Sequence, residues 1–266
     1  MYKLGFIGFG NMGKAMALGA LKSGYSKEDM AFSKVCNIEE TQNEFGIKGF
    51  KSNVEVARNS EIVILATKPY QYVKVIEEIK NEIGDFTILM PITPSFSTVD
   101  IQELIGWKVK VARIMPNTPA LVNCGITGLC FSGNFEEMER QKVFDFVKSF
   151  GEVLEIEENL MGGVSAVSGS GPAYVYMLIE AMADMAVSTG IKRKDAYNLV
   201  AKTVEGSAKM VLETKKHPGE LKDEVCSPKG STIEGVMELE ENGFRGSIIK
   251  GLKKTLDRFN EMNEEK

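Results

Sequence analysis

The chain has 266 residues, 43% of them hydrophobic and 26% charged, which is material for two domains with ordinary globular cores. Its net charge of −5 argues against nucleic acid or an anionic membrane surface as the principal partner. Four cysteines (Cys36, Cys124, Cys130, Cys226) without C-x-x-C spacing and a single histidine, His217, argue against a zinc cluster and imply a reduced, cytoplasmic protein without structural disulfides. Residues 3–8 form a short apolar run ending in glycine, the pattern of a buried strand. Helical periodicity over 12–23 stops at Gly24, a second strand follows at 30–32, and 37–45 reads as a helix that Asn37 caps and Gly46 stops. The alternation continues with strands at 62–66, 87–90, 109–114, 126–131 and 153–155. Between them lie helices at 71–83, 98–105 and 136–150. Strands alternating with helices imply βαβ units and a mostly parallel sheet covered on both faces.

Beyond about residue 160 the strand signal ends, and helices are expected at 172–189, 194–212, 232–241 and 247–262. The expected organisation is an α/β domain over 1–160 and an all-α domain over 161–266. Tyr174 to Val187 leaves almost no polar face, and a helix apolar all round must be covered on all sides. About a hundred residues of helix cannot easily do that alone, so a homodimer with interlocked helices is expected. Glu180 and Asp184 interrupt this stretch and argue against a membrane span. The first residues, broken by Gly5, Gly8, Gly10 and Asn11, do not read as a signal peptide.

Gly8-Phe9-Gly10-Asn11-Met12-Gly13 is a complete G-x-G-x-x-G between a strand and a helix, the context that makes it a dinucleotide site on a Rossmann, doubly wound domain. Gly8 permits the tight turn, Gly10 admits the pyrophosphate close to the backbone, and Gly13 lets helix and strand approach. The free N–H groups of the helix start then face the phosphates. Phe32-Ser33-Lys34 ends the second strand without the carboxylate that favours NAD, and Ser33 with Lys34 suits a 2′-phosphate. NADPH is therefore the expected cofactor, with NADH as the alternative. Ala66-Thr67-Lys68-Pro69 follows a strand at the ligand-binding edge, and Asn117, in Met115 to Ala120, lies in a loop stiffened by Pro116 and Pro119. Ser168 to Tyr174 opens the apolar helix. Cys226 to Gly235 carries hydroxyls at a helix start, where a small carboxylate can bind, although Ser231 with Glu234 also reads as a capping box.

With these segments in this order, the chain resembles the pyrroline-5-carboxylate reductase family from its first strand to about residue 260. The resemblance implies a Rossmann domain, a helical dimerisation domain and a ring of dimers. It implies hydride transfer from NAD(P)H to the C=N carbon of a cyclic imino acid, the last step of proline biosynthesis. It further implies that Ser231 and Thr232 bind the substrate carboxylate, that Thr232 orients the imine, that Ser227 shapes the pocket and that Glu158 approaches it. Asn53 and Ser33 belong, on the same resemblance, with the cofactor. Three departures stand out. Lys229 and Ser231 replace a glycine and a threonine in the family's Ser-Pro-Gly-Gly-Thr-Thr turn, Met90 to Ser95 is bulkier than the usual small-residue segment, and Thr67 stands for a valine. They motivate two alternatives, a non-catalytic dinucleotide-binding paralogue and a reductase of another small cyclic imine.

Overall fold

The structure is a computed structural model that describes residues 1–84 and 86–264. In chain order its elements begin β1 (Tyr2–Ile7), α1 (Asn11–Lys22), β2 (Met30–Ser33), α2 (Ile38–Phe45), β3 (Lys48–Phe50), α3 (Asn53–Arg58), β4 (Ser60–Leu65) and α4 (Tyr72–Ile79). They continue with β5 (Ile88–Pro91), α5 (Thr98–Ile105), β6 (Lys110–Met115), β7 (Gly125–Phe131), α6 (Glu137–Lys148) and β8 (Gly151–Glu155). The eight strands form one sheet in the order β3-β2-β1-β4-β5-β6-β7-β8. All neighbours are parallel except β6 and β7. The chain runs outward from β1 to β3 and then returns to the other side of β1, which makes a topological switch at the carboxyl ends of β1 and β4. The sheet is buried on both faces. Leu4, Phe6, Met30, Phe32, Ile62, Ile64 and Phe146 build the core on one side, and Ile7, Val63, Leu65, Tyr72, Ile76 and Val111 on the other.

Every expected strand is present. The sequence reading lacks β3 and α3, which are only three and six residues long. Asn37 and Gly46 do flank α2, both in the left-handed region (φ 55 and 70), but the Asn37 side chain makes no capping bond. Gly46 therefore stops the helix as a left-handed C-cap.

The remaining helices are α7 (Met161–Val164), α8 (Gly171–Ser188), α9 (Arg193–Thr214), α10 (Pro218–Val225), α11 (Ser231–Glu241) and α12 (Phe244–Glu264), with a π-helical turn at Ser165–Gly169. Two compact units result. The first holds residues 1–170 and the chain from Leu256 on; the second is Gly171–Thr255. The change of unit thus falls at Ser170 rather than at residue 160, because 161–170 are helical yet pack with the sheet, Gly128 against Val164 for example. The second unit has a small core of its own, Ala183, Ala196 and Val200 with Ile179, Ala186, Val187 and Val204 around it. On α8 only Ala183 is buried, while Tyr176, Met177 and Met185 are 57, 66 and 63% exposed. Within this chain, then, the apolar helix is left largely uncovered.

Candidate active site: a phosphate cradle at the strand ends and a hydroxyl turn

The first turn of α1 begins directly after β1. Gly8 has φ +88, and a Cβ there would lie 2.7 Å from the Ala66 carbonyl oxygen, so only glycine lets β1 turn against the end of β4. Gly10 is the N-cap of α1, with no side chain capping the helix and no acidic residue in its first turn. A Cβ on Gly10 would meet nothing within 4 Å. The N-terminal N–H groups of a twelve-residue helix thus open onto free space, which suits a phosphate. Gly13 faces the other way, its notional Cβ 3.0 Å from the Gly8 carbonyl, and serves helix–strand packing.

A cleft of about 1020 Å³ runs along the carboxyl ends of the strands here. It gathers most of the expected cofactor residues: Gly8, Gly10, Asn11, Met12, Ser33, Lys34, Asn53, Ala66, Lys68 and Pro69. It also brings in residues that the sequence did not single out for the site, among them Lys51, Lys74 and Glu78. Four lysines against one glutamate give it the positive balance that suits a polyanion. At its edge the Ser33 hydroxyl donates to Asn53 Oδ1 (2.7 Å), and Asn53 Nδ2 donates to Glu78 Oε2 (2.7 Å). Lys34 Nζ donates to Thr41 Oγ1 at 2.9 Å, which fixes the ammonium beside the end of β2. Thr67 Oγ1, in the wall, is buried without a hydrogen-bond partner, so the cleft retains unspent polar capacity. The glycine cradle, the lysines and this hydroxyl together fit a phosphorylated dinucleotide.

The far wall is held by two buried polar side chains. The Tyr72 phenol donates to the Leu65 carbonyl (2.6 Å) and accepts from Ile92 N–H (2.9 Å), tying the end of β4 to the residue after β5. Burial raises its pKa, so it stays neutral. Arg113, on β6, donates to the carbonyls of Thr93 (3.3 Å) and Pro94 (2.8 Å) and to Glu158 Oε1 (3.0 Å). Arg113 thereby anchors the segment from Pro91 to Ser95. The segment's carbonyls clamp on a buried guanidinium while Ile92 and Pro94 line the cleft.

Two expected site residues have other engagements. Asn117 does not line the cleft; its Oδ1 accepts from Ile126 N–H (3.0 Å) and it is buried, because the loop must satisfy the start of β7. The Glu158 carboxylate accepts from Thr98 N–H (2.8 Å), from Thr98 Oγ1 (2.7 Å) and from Arg113, and lines a separate cleft of about 690 Å³ with Asn159, Asn260 and Asn263.

In the second unit, Ser227 to Gly230 form a turn closed by Gly230 N–H to Ser227 O (3.0 Å), with Pro228 second and Lys229 third at φ 58. That is the pattern of a type II turn, whose third residue needs positive φ. A Cβ on Gly230 would lie 2.3 Å from Ser227 Oγ and 3.1 Å from the Ser227 carbonyl oxygen, so a side chain here would displace the Ser227 hydroxyl. Helix α11 starts at Ser231 with Gly230 as its cap and no side-chain capping bond. The capping box anticipated for Ser231 and Glu234 is therefore absent, because Ser231 already sits inside the helix. Ser227, Ser231 and Thr232 are all exposed on this turn and first helical step.

Residues 158–262 match the family model described as pyrroline-5-carboxylate reductase dimerisation, and residues 3–89 match one described as NADP oxidoreductase coenzyme F420-dependent. The chain is 40% identical over 265 residues to a pyrroline-5-carboxylate reductase of Escherichia coli (strain K12), covering 98% of each. It is 37% identical over 265 residues to that of Methanosarcina acetivorans, again covering 98% of each. Among solved structures, Plasmodium falciparum pyrroline carboxylate reductase with NADP bound has a TM-score of 0.91 at 32% identity, over 98% of both chains.

Proposed function

Because the chain belongs to the pyrroline-5-carboxylate reductase family, we propose that its own residues carry out that family's reaction in the following way. The protein is an NADP-dependent oxidoreductase of proline biosynthesis, reducing L-1-pyrroline-5-carboxylate to L-proline. The observation that carries the reading is the open cradle at Gly10, where the α1 amide dipoles and the cleft lysines face space that a polyanion would fill.

Gly8, Gly10, Asn11 and Met12 hold the pyrophosphate, Ser33 and Asn53 hold the ribose, Lys34 meets its 2′-phosphate, and Ala66, Lys68 and Pro69 form the wall at the strand ends. When bound, the nicotinamide supplies a hydride to the imine carbon. The substrate carboxylate is held by Ser231 and by the N-terminal amides of α11, an anion site of the same kind as the cradle on α1. Thr232 presents its hydroxyl to the ring nitrogen, orienting the imine and favouring the protonated form, which is the better acceptor. Ser227 borders this pocket, kept near the helix start by the turn to Gly230. Glu158 contributes from the Arg113 network, as a support of the substrate region. Support for these roles comes from the exposure of the three hydroxyls and from the lack of a capping bond on α11.

The protein works as an oligomer, with the bare apolar face of α8 covered by a second copy, and dimers gathering further into a ring in the cytoplasm. No described helix is long and apolar enough to cross a membrane. Purified protein with pyrroline-5-carboxylate should oxidise NADPH, and Thr232→Ala should slow turnover by roughly a hundredfold while NADPH affinity is kept. If NADPH binds but is not oxidised, the enzymatic reading gives way to the non-catalytic paralogue.

A further inference from the structure

The hydrogen-bond chain from Ser33 through Asn53 to Glu78 has a direction. An ionised carboxylate only accepts, so Glu78 requires the NH2 group of Asn53 to face it. The Asn53 carbonyl must then face Ser33, and a carbonyl only accepts, so the Ser33 hydroxyl has to donate into the chain. Its single proton is thereby spent, and what Ser33 offers the cleft is lone pairs. A ribose hydroxyl can donate to those lone pairs; a 2′-phosphate dianion, which only accepts, cannot. The carboxylate charge of Glu78, one side chain behind Asn53, opposes the phosphate as well. Attraction for the phosphate falls instead to Lys34, fixed by Thr41, and to Lys51 and Lys74 in the same cleft.

We propose that Glu78 is a specificity-determining residue that sets the polarity of the Ser33–Asn53 pair and so keeps NADH as a usable cofactor beside NADPH. The carboxylate that β2 lacks at its end is delivered from α4, through an asparagine. The proposal rests on the assignment of this cleft to the dinucleotide. Glu78 is exposed, and the hydrogen bond it accepts comes from Asn53, so it acts on the Ser33 end of the cleft through that residue and not on the reacting atoms.

The test is equilibrium binding by calorimetry, with NADP+ and NAD+ and with the fragments 2′,5′-ADP and 5′-ADP. Glu78→Gln keeps the shape and an acceptor for Asn53 but removes the charge, and lets the chain run in either direction. It should tighten NADP+ and 2′,5′-ADP by about three- to tenfold, with NAD+ and 5′-ADP changed by less than about twofold and the gain shrinking with salt. Glu78→Ala, which frees the Asn53 amide, should weaken NAD+ and 5′-ADP. An unchanged NADP+ to NAD+ ratio in Glu78→Gln, with both still bound, overturns the role of Glu78 and leaves the cleft assignment intact. Wild-type protein that binds neither dinucleotide overturns the cleft assignment itself.

Discussion

Gly10→Val separates binding from folding at the cradle. The backbone at Gly10 has φ −83 and ψ −162, an extended conformation that a β-branched residue adopts without strain. A Cβ there meets nothing within 4 Å, so a valine side chain starts into the cleft with room to choose its rotamer. The unfolding midpoint should therefore move by less than about 2 °C. Binding is another matter. The isopropyl group occupies the space through which a pyrophosphate reaches the α1 amides. Losing two charge-assisted hydrogen bonds at about 1.5–3 kcal/mol each removes roughly 3–6 kcal/mol, or about 10²- to 10⁴-fold in affinity. Gly8→Ala is the contrast. Its φ of +88 and the 2.7 Å approach to Ala66 O make alanine both strained and overpacked, at a cost of about 2–4 kcal/mol in stability. Calorimetric titration with NADPH and a thermal melt of both variants decide the matter. If Gly10→Val binds NADPH within threefold of wild type, or unfolds as readily as Gly8→Ala, the account of the cradle is wrong.

Lys229→Gly should stabilise the second unit by about 0.5–1 kcal/mol, since it relieves a left-handed lysine and gives back part of that in unfolded-chain entropy; a denaturant melt reads it. Glu158→Gln should destabilise the first unit by about 1–3 kcal/mol, because the Arg113 side chain is 5% exposed and keeps no anionic partner there. An unchanged melting curve with a raised KM for the imine would instead assign Glu158 to substrate alone. Burial, seconded by the charge of Glu158, pushes the Cys130 thiol from its ordinary 9.0 up to about 12, so it stays protonated. Its contribution to stability is complete below about pH 9 and is lost as pH climbs toward 12. In native protein, iodoacetamide should therefore modify the exposed Cys36 and Cys124 well before Cys130, as peptide mass spectrometry would show.

What was legible in the sequence was local. The glycine spacing from Gly8 to Gly13 fixes a turn and a helix start within six residues, and both formed as expected. Lys229 was legible as a departure, since the turn's need for positive φ belongs to the backbone and not to the residue occupying it. What stayed hidden depends on long-range contact. Glu78 meets Asn53 across 25 positions, and no periodicity announces that pairing. Arg113 and Glu158 meet across 45. Asn117, expected at the cofactor because it is polar and sits in a stiff loop, spends its Oδ1 on the Ile126 amide, a pairing that no local pattern announces. Residues 161–170 read as the start of the helical domain because they are helical; their packing against β7 assigns them to the sheet.

With a second copy on α8, as proposed above, the uncovered side chains of that helix tie conformational stability to protein concentration. A fold that leaves Tyr176, Met177 and Met185 in water unless a second chain arrives gains its last increment of free energy from association. That increment grows with the logarithm of protein concentration, so one sample melts higher when concentrated and lower when diluted. A newly made chain in a sparsely expressing cell is then at its most vulnerable before it meets its first twin, with the same greasy helix displayed to chaperones and proteases.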